Sequence, residues 1–543
     1  MSSLLEKLYK KIDEQSSFFW CFRPLIGISA NRKDGLSCIE DTYFQLVEQA
    51  GGAPIILPVS IDNEYLTTIM DHLDGLILSG EEDIDPAYMG KASLSKQADR
   101  EIVKVTDSHR DENDFIILKL AFNRQLPIFG INRGHHVINV AFGGMLYQDI
   151  DTHHQAVKEL APEFIATAIS SDGLIEAMEH PEYSIYSVQW HPDAIVAAGN
   201  DKKLAIFQKH VQQASIFKKA KHLHTRIETI DSHTDTPTIT QSFDLGIKEG
   251  SKVNLPLMRE GIFDAVFMVA FVQQGARDDA SLFQATQYVE ERLSAVIAQS
   301  EKYNRFMEIA TTPNDLRRIK QAGKKAVFLG IENGYAIGKN LDNLIKFKEL
   351  GVSYITLCHN GDNDICDSAA GQEEWGGLSP FGKQVVAEMN RLGMMIDVSH
   401  ATDYAFYDVL THSTKPVIAS HSSSRAICNH PRNLNDNQLR AIAAKGGVVQ
   451  LCLYKHFINE DAEKASLSDA LRHLDHIIAV AGIDHVGIGS DFDGGGELIG
   501  CRAVNELIGI TKRLIAKEFD DDSIAKIWGG NLLRVMRNQL FSN

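Results

Sequence analysis

No two of the seven cysteines are spaced as a CxxC pair; they stand at Cys21, Cys38, Cys358, Cys366, Cys428, Cys452 and Cys501. An odd, scattered set makes neither a disulfide framework nor a four-cysteine metal site, and it fits a reducing compartment. Basic charge is scarce too: 54 Lys and Arg against 72 Asp and Glu leave a net charge of −18. That balance argues against nucleic acid or an anionic membrane surface as the main partner. Long apolar runs are missing. "FFWCF" is far too short to span a bilayer, "MSSLLEKLYKKIDEQSS" lacks the apolar core of a secretory signal, and "NLLRVMRNQLFSN" offers no tail for a lipid anchor. A cytoplasmic protein without a membrane partner is the expectation. At 543 residues, 44% hydrophobic and 23% charged, the chain has room for about two to four domains.

Two halves share a βα grammar. In the first, "PLIGISA", "APIILPV", "LDGLILSG" and "LPIFGIN" read as short buried strands bounded by Gly or Pro. "DTYFQLVEQAG" and "RDENDFIILKLAFNR" lie between them with apolar residues at helical spacing, which predicts a doubly wound parallel sheet. "KKAKHLHTR" (218–226) is basic and lacks apolar periodicity, so a seam is placed there. The expected organisation is an extension at 1–23, an α/β domain at 24–215, a linker at 216–228 and a second domain at 229–543.

The second half offers eight strand candidates: "TIDSHTD", "AVFMVAFV", "AVFLGIE", "YITLCH", "MMIDVSH", "VIASHS", "VVQLCLY" and "HVGIGSD". Most gaps carry helical patterns. In "SPFGKQVVAEMNRLG", Ser379 suits an N-cap and Pro380 the first helical position. Eight strands with intervening helices in about 300 residues predict a (β/α)8 barrel, whose active site lies at the carboxyl ends of the strands.

Six of the eight candidates end in a ligand or acid–base type: Asp235, Glu332, His359, His400, His421 and Asp491. Taken singly, each is ordinarily a satisfied polar residue at a strand end, and "IDSHTDTP" alone reads equally well as a polar turn. Six at one end point to a site. Alternation puts His233 and Asp235 on one face, whereas Cys358 turns away and is not counted. Glu332 has two oxygens and can bridge two ions, leaving an open position for water. Two cations about 3.5–4 Å apart would then activate that water for hydrolysis. The imidazole-rich set favours zinc, with cobalt and manganese open.

"DSHTDTP", "GIENG", "LCHN", "GLSPFGKQVVAEMNRLGMMIDVSH", "PVIASHSSSRAICNHPRN", "GIGSDFDGG" and "WGGNLLRV" fall in order across 229–540. In these the second half resembles the membrane dipeptidase (renal dipeptidase) family of metallopeptidases. The resemblance implies two Zn2+ per chain and cleavage of dipeptides. It implies that His233, Asp235 and Glu332 hold one zinc and that Glu332, His400 and His421 hold the other. It further implies that His359 stabilises the oxyanion, Arg432 binds the substrate's carboxylate and Asp491 shuttles the proton. A guanidinium suits a carboxylate and a preset donor suits an oxyanion. Residues alone would leave Arg432 as a loop arginine near a helix start, and would leave Asp491 and Asp493 undistinguished.

The first half resembles the class I glutamine amidotransferase-like hydrolases, in particular the gamma-glutamyl-gamma-aminobutyrate hydrolase group. Its carriers are "LDGLILSGEEDIDPAYMG", "PIFGINRGHHVINVAFGGMLYQDI", "DTHHQAVKELAP" and "SVQWHPD". That group places a nucleophilic cysteine on a tight turn, activated by His and an acid. Here Asn132 stands at the cysteine position, with His191 and Asp193 at the matching partners. Glu81 replaces an oxyanion-hole glycine, and "MLYQDI" runs almost directly into "DTHHQ". The expectation is a catalytically degenerate domain with a structural, oligomerising or ligand-sensing role, in a homo-oligomeric chain. His135, His136, His153 and His154 are expected as solvated loop histidines. Two alternatives to a dipeptidase stay open: another barrel hydrolase, such as a deacylase or cyclic-amide hydrolase, or a non-catalytic binding protein.

Overall fold

The computed structural model describes residues 3–15, 23–89, 107–150, 153–192, 204–238 and 243–540. The chain divides into two compact units, one of residues 1–122 and 126–218, the other of 123–125 and 219–543. Among the described residues no helix is long and apolar enough to cross a membrane.

In the first unit five strands run parallel in the spatial order Ala53–Leu57, Leu25–Ser29, Gly75–Leu78, Ile128–Ile131 and Ile185–Val188. The four expected strands are all present. A fifth, and an antiparallel group built from Met145–Ile150, His153–Glu159, Ile165–Ile169 and Ile175–Glu179, extend the sheet. Ile165–Ile169 is mostly exposed, so its pattern carries no core signal to read. Residues 218–226 are not a stretch without periodicity: they end the helix Leu204–Arg226. Phe207, Val211, Ala214, Phe217, Ala220 and Leu223 are buried along it, at the three- and four-residue spacing of one helical face. Intervening lysines and histidines hide that face.

The second unit is a barrel of eight parallel strands: Ile230–Thr234, Ala265–Phe271, Lys325–Glu332, Val352–Thr356, Met395–Asp397, Ile418–Ala419, Val448–Leu451 and Val486–Ile488. They pair in sequence order. The ring closes where Thr234 bridges Phe492, with Asp491 N–H donating to His233 O (3.0 Å) and Asp235 N–H to Phe492 O (2.9 Å). Most strand residues are buried on both faces, as in a sheet covered by helices. Ile230, Phe267, Phe328, Tyr354, Met395, Ile418 and Val448 form one buried cluster with Leu532, Leu533 and Met536. Ser379 caps the helix Pro380–Leu392 by accepting from Gly382 N–H, and Pro380 opens it. Gly393 ends it at φ 66°, a left-handed conformation suited to glycine.

The strands are shorter than expected at their carboxyl ends. His359 and His400 fall three residues beyond their strands and His421 two, so loops rather than strand pleats aim these side chains.

Buried histidines tie the barrel's wall to neutral pH. His224 Nδ1–H donates to Ile262 O (3.2 Å), and its Nε2 accepts from Thr511 Oγ1 (2.7 Å), which itself accepts from Trp528 Nε1–H (2.7 Å). Burial lowers the His224 pKa from 6.5 to about 4. Below about pH 6.5 the unfolded chain takes up a proton that the fold excludes. This stability, complete above that pH, is therefore lost toward pH 4 at up to about 1.4 kcal/mol per pH unit. Urea unfolding of wild type and His224→Gln should show a stability gap that shrinks by about 2 kcal/mol between about pH 7 and about pH 5; a constant gap refutes the linkage.

Candidate metal centre

Glu332 ends the third barrel strand and is buried. Its two oxygens face different partners. Oε2 lies 3.7 Å from His233 Nε2, while Oε1 lies 3.1 Å from His400 Nε2, 3.4 Å from His421 Nε2 and 3.9 Å from His359 Nε2. His233 Nε2 is also 3.7 Å from Asp235 Oδ1. Three sets of donor atoms each lie within 4.8 Å of one another: His233, Glu332 and His421; Glu332, His359 and His400; His233, Asp235 and Asp491. All seven expected ligand and acid–base residues of the barrel therefore converge at its carboxyl end.

The imidazole ring of each expected ligand histidine is held through Nδ1. His233 Nδ1–H donates to Tyr354 Oη (2.8 Å), whose own proton goes to Ser232 O (2.9 Å). His421 Nδ1–H donates to Ser420 Oγ (2.8 Å) and His400 Nδ1–H to Asn360 Oδ1 (3.1 Å). With Nδ1 engaged in this way, each Nε2 is turned inward, where a metal would take its lone pair. Burial first, then the charge of Arg432, holds His400 well below its ordinary pKa; burial and then His233 do the same for His421. Both rings are thus neutral. His233 is raised well above its ordinary value: burial opposes, but Tyr354 and the carboxylates of Asp235 and Glu332 prevail. A positive charge is favoured at that point. His233 Nε2 and Asp235 Oδ1 are buried without a hydrogen-bond partner, an arrangement that is costly unless another group pairs them. The donor set of imidazoles and carboxylates fits divalent cations of the zinc type.

A cavity of about 340 Å³ opens on these atoms, lined by Phe271, Asn360, Tyr454, Phe457 and Thr238 besides the acids and histidines. Sequence reading passed over Phe271 and Tyr454 because it sought titratable strand ends. Phe271 packs against the His359 ring at 4.5 Å. A second cavity of about 730 Å³ includes Arg432, Tyr454 and Phe457 in its wall. Arg432 is buried, makes no ion pair among the described residues, lies over the Phe457 ring (5.2 Å), and leaves its Nε without a partner there.

Asp491 and Asp493 do not alternate as in a strand, since both have positive φ (64° and 69°). Asp493 is engaged by Thr236 Oγ1 (2.7 Å) and Lys252 N–H (2.8 Å). Asp491 has a softer partner in the Cys452 thiol (3.8 Å), and burial, then Asp235, push its carboxyl pKa well up. Cys358 is turned away as expected, its Sγ against Asp367 O (3.7 Å).

In the first unit Asn132 sits between the strand Ile128–Ile131 and the helix Arg133–Ala141 at φ 50° and ψ −105°, a strained turn for a non-glycine. Its Nδ2–H donates to Gln189 O (3.0 Å). The His191 ring lies beside Gly80, where an added Cβ would come within 2.5 Å of its Cε1. Glu81 adopts φ 72°. Asp193 lies outside the described residues. His135 and His136 are not solvated loop residues. They are buried in the helix, His135 Nδ1 meeting Ser187 Oγ and His136 Nε2 meeting Gln189 Oε1, each at 2.8 Å. His153 and His154 lie on the strand His153–Glu159 and their side chains are outside the description.

Comparison with known proteins joins these observations. Residues 24–153 and 151–193 match Peptidase C26. Dipeptidase tcpJ of Claviceps purpurea is 33% identical over 291 residues, 52% of this chain and 68% of its own length. The probable dipeptidase PvdM from Pseudomonas aeruginosa superposes with a TM-score of 0.57 at 27% identity, covering 60% of this chain and 98% of that one. A metallo peptidase from Rhodobacter sphaeroides, liganded with a phosphinate mimic of the dipeptide L-Ala-D-Ala, gives a TM-score of 0.53 at 26% identity, covering 58% and 99%. With residues 217–543 matching Membrane dipeptidase (Peptidase family M19), the chain belongs to the membrane dipeptidase family.

Proposed function

We propose that the chain is a zinc-dependent dipeptidase with two ions, one held by His233, Asp235 and Glu332, the other by Glu332, His400 and His421. The observation that carries this reading is the divided aim of Glu332, one oxygen toward His233 and the other toward the His400–His421 pair. His400 Nε2 and His421 Nε2 lie 3.0 Å apart with both lone pairs inward, a repulsive arrangement that a shared cation relieves. Bound there, the ions would supply Lewis acidity and a water acidic enough to attack near neutral pH.

The chain's own residues supply the rest. Arg432, a buried guanidinium with no ion pair among the described residues, binds the carboxylate of the dipeptide; in the wall of the larger cavity it is the natural recipient of such an anion. His359, on the rim of the site with its side chain 21% exposed, donates to the oxygen that becomes negative during attack. Asp491 lines the reaction cavity beside the Cys452 thiol; once bound cations favour its ionised form, it can take the proton from water and pass it to the leaving amine. The phosphinate dipeptide mimic seated in the Rhodobacter sphaeroides relative supports a tetrahedral species in this family's site. The free thiols of the six described cysteines suit the cytoplasm.

For the first unit we hold to a degenerate amidase site. An amide stands on the strained turn, and its nitrogen is tied to Gln189 O, so no nucleophile is presented to His191.

Metal analysis of the purified chain should find about two zinc equivalents. Glu332→Gln should lose bound metal and lower dipeptide turnover by more than about a hundredfold; full turnover would remove the bridging role. Arg432→Met should cost about 1.5–3 kcal/mol of substrate binding, a rise in KM of roughly tenfold to a hundredfold. It should leave hydrolysis of an analogue whose carboxyl group is amidated little changed, and equal losses on both substrates would contradict carboxylate recognition. Glutamine and gamma-glutamyl amides should not be hydrolysed by the wild type; robust release of ammonia that survives Glu332→Gln would contradict the degenerate-site reading.

A further inference from the structure

One hydroxyl lies beneath both halves of the metal centre. Ser420 Oγ accepts from His421 Nδ1–H at 2.8 Å and lies 3.2 Å from His233 Nδ1. It donates to Asp397 Oδ2 at 2.6 Å. A serine hydroxyl has one proton and two lone pairs, so these three partners use its whole capacity. The proton is committed to a carboxylate, which leaves both lone pairs for the two rings. Asp397 is itself fixed: Oδ1 accepts from Ser399 N–H (3.0 Å) and Ser420 N–H (2.8 Å), and Oδ2 accepts also from Thr356 Oγ1 (2.5 Å). Asp397 and Ser420 are both fully buried.

His233 and His421 belong to different ions in the reading above, on which this inference rests. Their rings are 3.9 Å apart between centroids. His233 has a second acceptor in Tyr354 Oη, whereas for His421 Ser420 is the acceptor at Nδ1. We propose that Ser420 is a positioning residue shared by the two cation positions. Its hydroxyl, oriented by Asp397, fixes the tautomer and tilt of one ligand imidazole from each, so that the two bind as a coupled pair. Tyr354 serves only the His233 position.

The test compares metal uptake by full-length chains stripped with a chelator, using competition with a zinc-binding dye and the absorption spectrum of added Co2+. Wild type should take up two equivalents. Ser420→Ala should weaken both uptake steps by roughly tenfold to a hundredfold, the usual range for loss of such an outer contact, and should change the Co2+ spectrum at both. Ser420→Cys keeps the size but replaces a good acceptor with a poor one, so it should do the same should the alanine variant not fold. Ser420→Thr, which keeps the hydroxyl, should retain both affinities. Tyr354→Phe should weaken one step only. Ser420→Ala and Ser420→Cys leaving both steps intact, or weakening one alone, would overturn the shared role. Fewer than two equivalents in wild type would instead overturn the binuclear reading and this inference with it.

Discussion

A buried carboxylate must be met by positive charge, and the barrel meets Glu332 with imidazoles alone. Burial opposes its ionisation, yet His359, His233 and His400 hold its pKa well below the ordinary carboxylate value. Asp235 and Asp491 are buried beside it, and Arg432 is the buried guanidinium of the same neighbourhood. Two of the facing imidazoles are neutral. Burial pushes the carboxyls of Asp235 and Asp491 up while the neighbouring carboxylates favour a charged His233, so acids and rings share protons in a place with little water, where unpaired charge is most costly. A bound cation would take the place of those protons, and the loops bring its candidate ligands together.

Those loops carry strain where the ligands need to turn. His400 (φ 70°), Asp491 (φ 64°) and Asn333 (φ 82°), the residue after Glu332, all adopt left-handed backbone. Each such conformation costs about 1–3 kcal/mol in a non-glycine residue. Hydrogen bonds hold Asn333 in place: its Nδ2–H donates to Val272 O (3.1 Å), and its Oδ1 accepts from Tyr335 N–H (3.1 Å). For His400 the strain swings the ring toward Glu332 three residues beyond the strand's last pleat. Pleat geometry alone would not have brought that nitrogen within 3.1 Å of Oε1.

This is also why the sequence was legible in one respect and silent in another. Apolar runs bounded by turns are a direct record of burial on both faces, so the eight barrel strands and four parallel strands of the first unit could be read. Ligand types near strand ends could be read as well, because chemistry restricts them to His, Asp and Glu. Tyr354, Ser420 and Asp397 could not. Each sits within an ordinary buried strand or beside it, and its importance lies in which ring it touches across the barrel, at sequence separations of 121 residues for Tyr354 and His233. The helical face of 207–223 was masked for a related reason: its core residues are separated by long charged side chains that extend to solvent while their stems cover apolar surface.

The two units treat two clusters of buried acid in opposite ways. In the first unit Asp111 and Asp114 are clamped by the Arg133 guanidinium, and Arg110 donates to Gly80 O and Glu81 O at 2.7 Å. Fixed cations already neutralise these carboxylates, and the atoms left over on those two arginines, Arg110 Nε and Arg133 Nε, are donors that repel a metal ion. Beside Glu332 the atoms left over include His233 Nε2 and Asp235 Oδ1, types that can offer lone pairs to a cation, and Asp235 lines the cavity. The need to compensate buried acid is met internally in one place, and in the other it leaves groups that a bound ion would pair.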